Sequence, residues 1–147
     1  MNIDRLFNVV GSALNSQRQR LNIIAGNLAN AESTRSPNGG PYVRRDVIFR
    51  TESPSSPFMS VFAQAFGRSA EPNGVHIEKV VFDERPFRKV YDPQHPDADS
   101  KGYLELPNVN VIEEMTNMLS ASRAYEANLA VLETGKSMTM RALEMGR

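Results

Sequence analysis

The stretch YDPQHPDADSKGY, residues 91–103, gathers Asp92, His95, Asp97 and Asp99 within eight positions. Three carboxylates and an imidazole at that density could hold a divalent cation, and a water activated there would make a small metal-dependent hydrolase. A calcium loop also needs a central glycine and a distal bidentate glutamate in register, and neither is in place. The same stretch holds Pro93, Pro96 and Gly102. Aspartates near proline form turns by bonding their own backbone. Asp92, Pro93, His95, Pro96, Asp97, Asp99 and Gly102 are therefore expected to make connector turns, not a catalytic centre.

Other reactive arrangements are thinner still. His76 is the second of only two histidines and falls in an alternating, strand-like run, so a histidine triad or zinc site lacks members. Cysteine is absent, which excludes disulfides and thiolate ligation. Gly39 and Gly40 run into Pro41, which removes a backbone donor from any phosphate-binding loop. Glu113 and Glu114 are adjacent, diverge around a helix and cannot work as a paired acid and base. The expectation is a protein that is not an enzyme and carries no metal and no cofactor.

Charge points the same way. Basic and acidic residues balance at 17 each, so no overall field draws nucleic acid. The arginines of the first third (Arg5, Arg18, Arg20, Arg35, Arg44, Arg45 and Arg50) are scattered, as on solvated helix faces and in ordinary ion pairs. Neither nucleic acid nor a small-molecule substrate is expected as a partner. MNIDRLFNVV lacks the features of a cleaved secretory signal, so any export is expected to use another route. No apolar run reaches the length of a membrane span.

The elements that must position these residues are two helical ends and a different middle. Ile3, Phe7, Val10, Leu14, Leu21, Ile24, Leu28 and Ala31 recur at alternating spacings of four and three, broken only by Gln17. That heptad pattern predicts an amphipathic helix of coiled-coil type. At the other end Pro107 stops a strand, Asn110 suits an N-cap, and Glu113 follows as in a capping box. A seam then runs Val111, Met115, Met118, Ser122, Tyr125, Leu129, Leu132. A second runs Ala121, Ala124, Asn128, Val131, Gly135, Met138, Ala142, Met145. One partner helix needs one stripe, so two stripes imply several neighbours. Between the ends, residues 38–50 open on a Gly-Pro turn and run into β-branched and aromatic residues, and residues 74–91 alternate as two strands divided near Glu84–Pro86.

The expected fold is mixed α+β: long terminal helices packed as a coiled-coil-like pair, with a small β-rich domain inserted. Its expected parts are a helix in residues 1–35, a β-rich middle in 36–107 and a helix in 108–147. The middle includes a Ser/Pro linker and a Phe-rich insertion, Phe58 to Phe66, within 51–72.

Three segments carry a resemblance: SQRQRLNIIAGNLANAESTRSPNGGPY (16–42), VYDPQHPDADSKGYLELPNVNVIEEMTNMLSASRAYEANLAVLETGKSM (90–138) and the tail RALEMGR. They resemble the bacterial flagellar rod and hook proteins, and residues 91–111 are similar to the proximal-rod branch of that family. The resemblance implies a structural rod subunit that transmits torque through packed helices in the periplasmic basal body. Its implied partners are other rod proteins, further copies of itself, the rod base with its membrane-ring adaptor, and the flagellar type III export apparatus. It marks Leu21, Asn27, Leu28, Ala29, Asn30 and Ala31 as assembly contacts, and with them Asn108, Asn110, Glu114, Met115, Tyr125, Asn128, Thr134 and Lys136. The helical seams add Ile3, Phe7, Val10, Leu14, Ile24, Met118, Leu129 and Leu132. Read without the resemblance, a soluble coiled-coil adaptor stands as the alternative, with the metal-dependent hydrolase behind it.

Overall fold

The structure is a computed structural model that describes residues 3–37, 39–52 and 74–146. The Phe-rich segment and most of the Ser/Pro linker lie outside the described residues. In chain order the elements are α1 (Ile3–Ala29), β1 (Arg45–Glu52), β2 (Gly74–Phe82), β3 (Arg88–Tyr91), β4 (Tyr103–Leu106) and α2 (Val111–Met145). β1 pairs with β2, and β3 pairs antiparallel with β4 in the register Arg88 to Leu106 and Tyr91 to Tyr103. The fold is thus two long helices that pack together, with small sheets between them in sequence.

The chain divides into two compact units. The first comprises Met1–Gln19, Ile48–Lys79 and Ser122–Arg147. Its part of α1 buries Val10 and Ser16. Two serines one turn apart clasp the start of β2. The Ser12 hydroxyl oxygen accepts from the Val75 N–H and the Ser16 hydroxyl donates to the Val75 carbonyl, each at 3.0 Å. Serine hydroxyls on the helix thereby close backbone groups that a sheet neighbour would otherwise take. On α2, Gly135 is buried, and a methyl added to it would sit 2.9 Å from Leu6 Cδ2 and 4.0 Å from Phe7 Cε1. The mid-helix glycine therefore marks close approach: large α1 side chains fill the space it leaves.

The second unit comprises Arg20–Val47 and Val80–Ala121. Ile24, Ala31, Tyr42, Leu104 and Ala121 are its buried apolar residues, alongside fully buried Pro107. α2 starts where expected, with Asn110 Oδ1 accepting from the N–H groups of Ile112 and Glu113. Glu113 Oε2, the other half of the expected capping box, lies instead on Arg85 at 3.1 Å.

The buried line along α2 is neither of the two seams read from sequence. It runs Glu114, Met118, Ala121, Tyr125, Asn128, Leu132, Gly135, Thr139, all buried or half-buried, and it takes members from both. Val111, Met115 and Leu129 of the first seam are exposed, as are Val131, Met138, Ala142 and Met145 of the second. The reason lies in size. Ala121 and Gly135 leave room for α1 to approach closely between the larger Met118, Tyr125 and Leu132.

Gly135→Ala is expected to change stability by less than about 1 kcal/mol, because the helix-propensity gain offsets displacement of one Leu6 methyl. Gly135→Leu is expected to cost about 1–3 kcal/mol through overpacking. Thermal unfolding of the full chain distinguishes the two.

Candidate assembly site

The second unit is organised around buried polar groups. Arg44 and Glu114 are 6% and 0% exposed, and Arg44 places both Nε and an Nη on Glu114 Oε1, at 2.9 and 2.8 Å. The remaining Arg44 Nη reaches Asp46 at 3.1 Å and Asp83 at 3.2 Å. Burial pulls the Arg44 guanidinium down, yet Glu114 and then Asp46 hold it above its usual value. Asn27, also fully buried, donates to Glu114 Oε2 at 2.9 Å and to the Arg45 carbonyl at 2.7 Å. Its Oδ1 accepts from the Tyr42 hydroxyl at 2.9 Å and the Arg45 N–H at 3.0 Å. Four bonds saturate the amide. A charged pair out of water is tolerated only when its lone pairs and protons are met in this way.

Asn108 extends the network. Its Oδ1 accepts the Arg44 N–H at 2.8 Å, and its amide donates to the carbonyls of Asp83 and Arg85 at 3.1 and 3.0 Å. Arg85 in turn bridges Asp83 and Glu113. The Asp83 carboxyl is held below its usual range, first by the hydrogen bond from Arg85. The carboxy end of α1, the start of β1, the 83–85 turn and the amino end of α2 are joined by this one set of bonds.

The connector stretch is built from turns. The Asp92 side chain accepts the Gln94 N–H, and Asp99 Oδ1 accepts the N–H groups of Lys101 and Tyr103. Asp97 leaves its own loop: it accepts from the Thr34 hydroxyl at 2.7 Å and from Arg35 Nε at 2.6 Å. His95 Nδ1 accepts the Asp97 N–H. Gly102 has φ +80°, and a side chain there would run into the Tyr91 ring and Pro93. Among the described residues no three His, Cys, Asp or Glu side chains converge as metal ligands.

The residues expected at assembly contacts separate into two groups. Asn27 and Glu114 have no exposed surface, and Val10, Ile24 and Ala31 are buried as well. Phe7, Leu14, Leu21, Leu28, Asn30, Asn108, Met118, Tyr125, Asn128 and Leu132 are half-buried, and Asn30 bonds the Gly26 carbonyl at the end of α1. These shape the protomer itself. Ile3, Ala29, Asn110, Met115, Leu129, Thr134 and Lys136 are exposed. Sequence reading missed Ile112, 77% exposed, and Leu119, 54% exposed. With Met115, 58% exposed, they form a stripe at spacings of three and four on α2 of the second unit.

Two family models fit these helices. One described as flagella basal body rod protein matches residues 7–35, and one described as flagellar basal body rod FlgEFG protein C-terminal matches residues 100–145. The class is therefore that of flagellar basal-body rod proteins. The chain is 42% identical to the flagellar basal-body rod protein FlgC of Escherichia coli O157:H7, over 97% of this chain and 96% of that one. It is also 42% identical to FlgC of Yersinia enterocolitica over the full length of both, and 40% identical to FlgC of Bacillus subtilis (strain 168) over 95% of each. The chain belongs to the FlgC family, whose members are structural subunits of the rod.

Hydrogen bonds from Thr34 first, then Arg35, hold the Asp97 carboxyl below its usual range, and backbone donors led by Tyr103 do the same for Asp99. Lowered folded-state values mean that these carboxylates stabilise above their unfolded value, about 4. That contribution is lost as pH falls through the folded value. Asp97→Asn is expected to lower the denaturation midpoint at pH 7, and to converge with the unsubstituted protein as the pH drops to about 2. Chemical denaturation across that range checks it.

Proposed function

We propose that this protein transmits torque within the basal-body rod as a non-enzymatic subunit, and that the outward face of α2 is its main assembly surface. The observation that carries this reading is the set of large apolar side chains exposed along α2. A helix with Glu114, Ala121 and Gly135 turned inward presents Ile112, Met115, Leu119, Leu129, Met138 and Leu143 to solvent in the isolated chain. Large apolar side chains at helical spacing outside a protomer are suited to burial against other subunits. Such an interface joins different patches on successive copies and repeats along an axis without closing.

The partners proposed are further copies, neighbouring rod proteins and the rod base with its membrane-ring adaptor. Periplasmic assembly after passage through the type III export apparatus, without a cleaved signal, completes the proposal. Asp92, Pro93, His95, Pro96, Asp97, Asp99 and Gly102 serve as connector turns within it. The parts proposed are the amino-terminal helix within 1–35, the β-rich middle within 36–107 and the carboxy-terminal helix within 108–147.

Replacing Ile112, Met115 and Leu119 together with serine tests the surface. The purified chain is expected to keep its unfolding midpoint, since these side chains are exposed, while cells carrying it lose motility and their purified hook–basal bodies lack the chain. Normal swimming with the variant present in intact rods would remove α2 from the assembly.

A further inference from the structure

The β3–β4 hairpin has one edge capped at Tyr103 and one open edge. The Asp92 N–H bonds the Gly102 carbonyl across the hairpin at 2.9 Å. Bonded pairs alternate along an antiparallel ladder, so they recur at Val90 with Leu104 and Arg88 with Leu106. Lys89 opposite Glu105 and Tyr91 opposite Tyr103 are then the non-bonded pairs, whose main-chain groups point away from the partner strand. On β4 the Tyr103 groups are occupied: its N–H goes to Asp99 Oδ1 and its carbonyl accepts the Asp99 N–H, both at 2.9 Å. The connector turn thereby caps that edge at Tyr103. On β3 the N–H and C=O of Lys89 and Tyr91 face outward with no strand beside them among the described residues, and all four β3 side chains are exposed.

The side chains of this edge select a charge. β3 reads Arg-Lys-Val-Tyr and holds no acid. Lys89 has one cross-strand partner, Glu105 at 3.0 Å, and both are largely solvated. Arg88 makes no ion pair among the described residues. A second copy adding its own β3 would bring two more cations to a four-residue ladder and no acid, which disfavours self-pairing. Glutamate or aspartate at alternate positions of an incoming strand would lie beside Arg88 or Lys89, with apolar residues free to cover Val90 or Tyr91.

We propose that the outer edge of β3 is a docking strand for an extended, acidic segment of a partner protein, which joins the hairpin as a third strand. Backbone bonds at Lys89 and Tyr91 supply the pairing, and Arg88 and Lys89 set the charge preference. This site is separate from the α2 surface and stands whether or not that surface is the assembly face.

The test uses the full chain and a labelled, acetylated six-residue peptide alternating glutamate with valine, read by fluorescence anisotropy against a peptide with lysine in place of glutamate. The acidic peptide is expected to bind saturably and the lysine peptide not to. Lys89→Pro removes an outward N–H and leaves the β3–β4 bonds intact, and is expected to weaken binding at least about tenfold. Lys89→Gln keeps the N–H and loses the charge, with an expected loss of only about threefold and a flatter salt dependence. In the unsubstituted protein, peptide should slow amide exchange at Lys89 and Tyr91, a readout that does not depend on how either variant folds. Absent binding, equal binding of the lysine peptide, equal loss in the two variants, or protection confined to other residues would each overturn the proposal.

Discussion

A guanidinium and a carboxylate buried together constrain everything near them. Arg44 and Glu114 are almost fully removed from water; without Arg44 the Glu114 carboxylate would be a stranded charge, and without Glu114 the guanidinium would keep only Asp46 and Asp83. The pair can exist only if several segments arrive at once. Asn27 must come from the end of α1 to occupy the second oxygen of Glu114, and Asn108 must hold the Arg44 backbone. Asp46 and Asp83 must receive the remaining guanidinium nitrogen. Apolar packing of the same volume could stabilise as much but would tolerate many arrangements. These bonds tolerate one, so they define the register of α1, β1 and α2 within the second unit.

The same choice determines what α2 offers to the outside. The inner line of the helix alternates Glu114, Ala121, Asn128 and Gly135 with the larger Met118, Tyr125 and Leu132. Ile112, Met115, Leu119, Leu129, Met138 and Leu143 face solvent in the single chain. For a stand-alone protein that arrangement would invite aggregation. On the reading proposed above, neighbouring rod subunits would complete that burial. The capped β4 edge and the cation-bearing β3 edge follow a related logic at the hairpin, where unpaired strand groups are either closed by a turn or guarded by charge.

Much of this was legible in the residues. The four-three alternation from Ile3 to Ala31 and the Asn110 cap located both helices, because each is a local signal that needs no distant partner. The strand break at Glu84–Pro86 and the turns around Asp92 to Asp99 were visible for the same reason. The inner line of α2 was not. It begins with a glutamate, which by composition belongs on a surface, and the arginine that justifies it lies 70 positions away in sequence. Arg44 was likewise grouped with the scattered arginines of solvated helix faces and ordinary ion pairs, although it stands two positions from buried Tyr42. Asp97 looked like part of a local cluster, yet its partners Thr34 and Arg35 come from the loop after α1. Long-range charge pairing leaves no periodic trace, so sequence pattern could not supply it.

Whether the Arg44–Glu114 pair organises the second unit is measured by a double-mutant cycle. Equilibrium denaturation of the full chain carrying Arg44→Met, Glu114→Leu and both would be compared with the unsubstituted protein. Arg44→Met is predicted to cost about 3–5 kcal/mol because it strands the buried Glu114 carboxylate, Glu114→Leu less because Asp46 and Asp83 still face Arg44, and the double change much less than their sum. Single changes that each cost under about 1 kcal/mol, or a double change equal to their sum, would contradict the account.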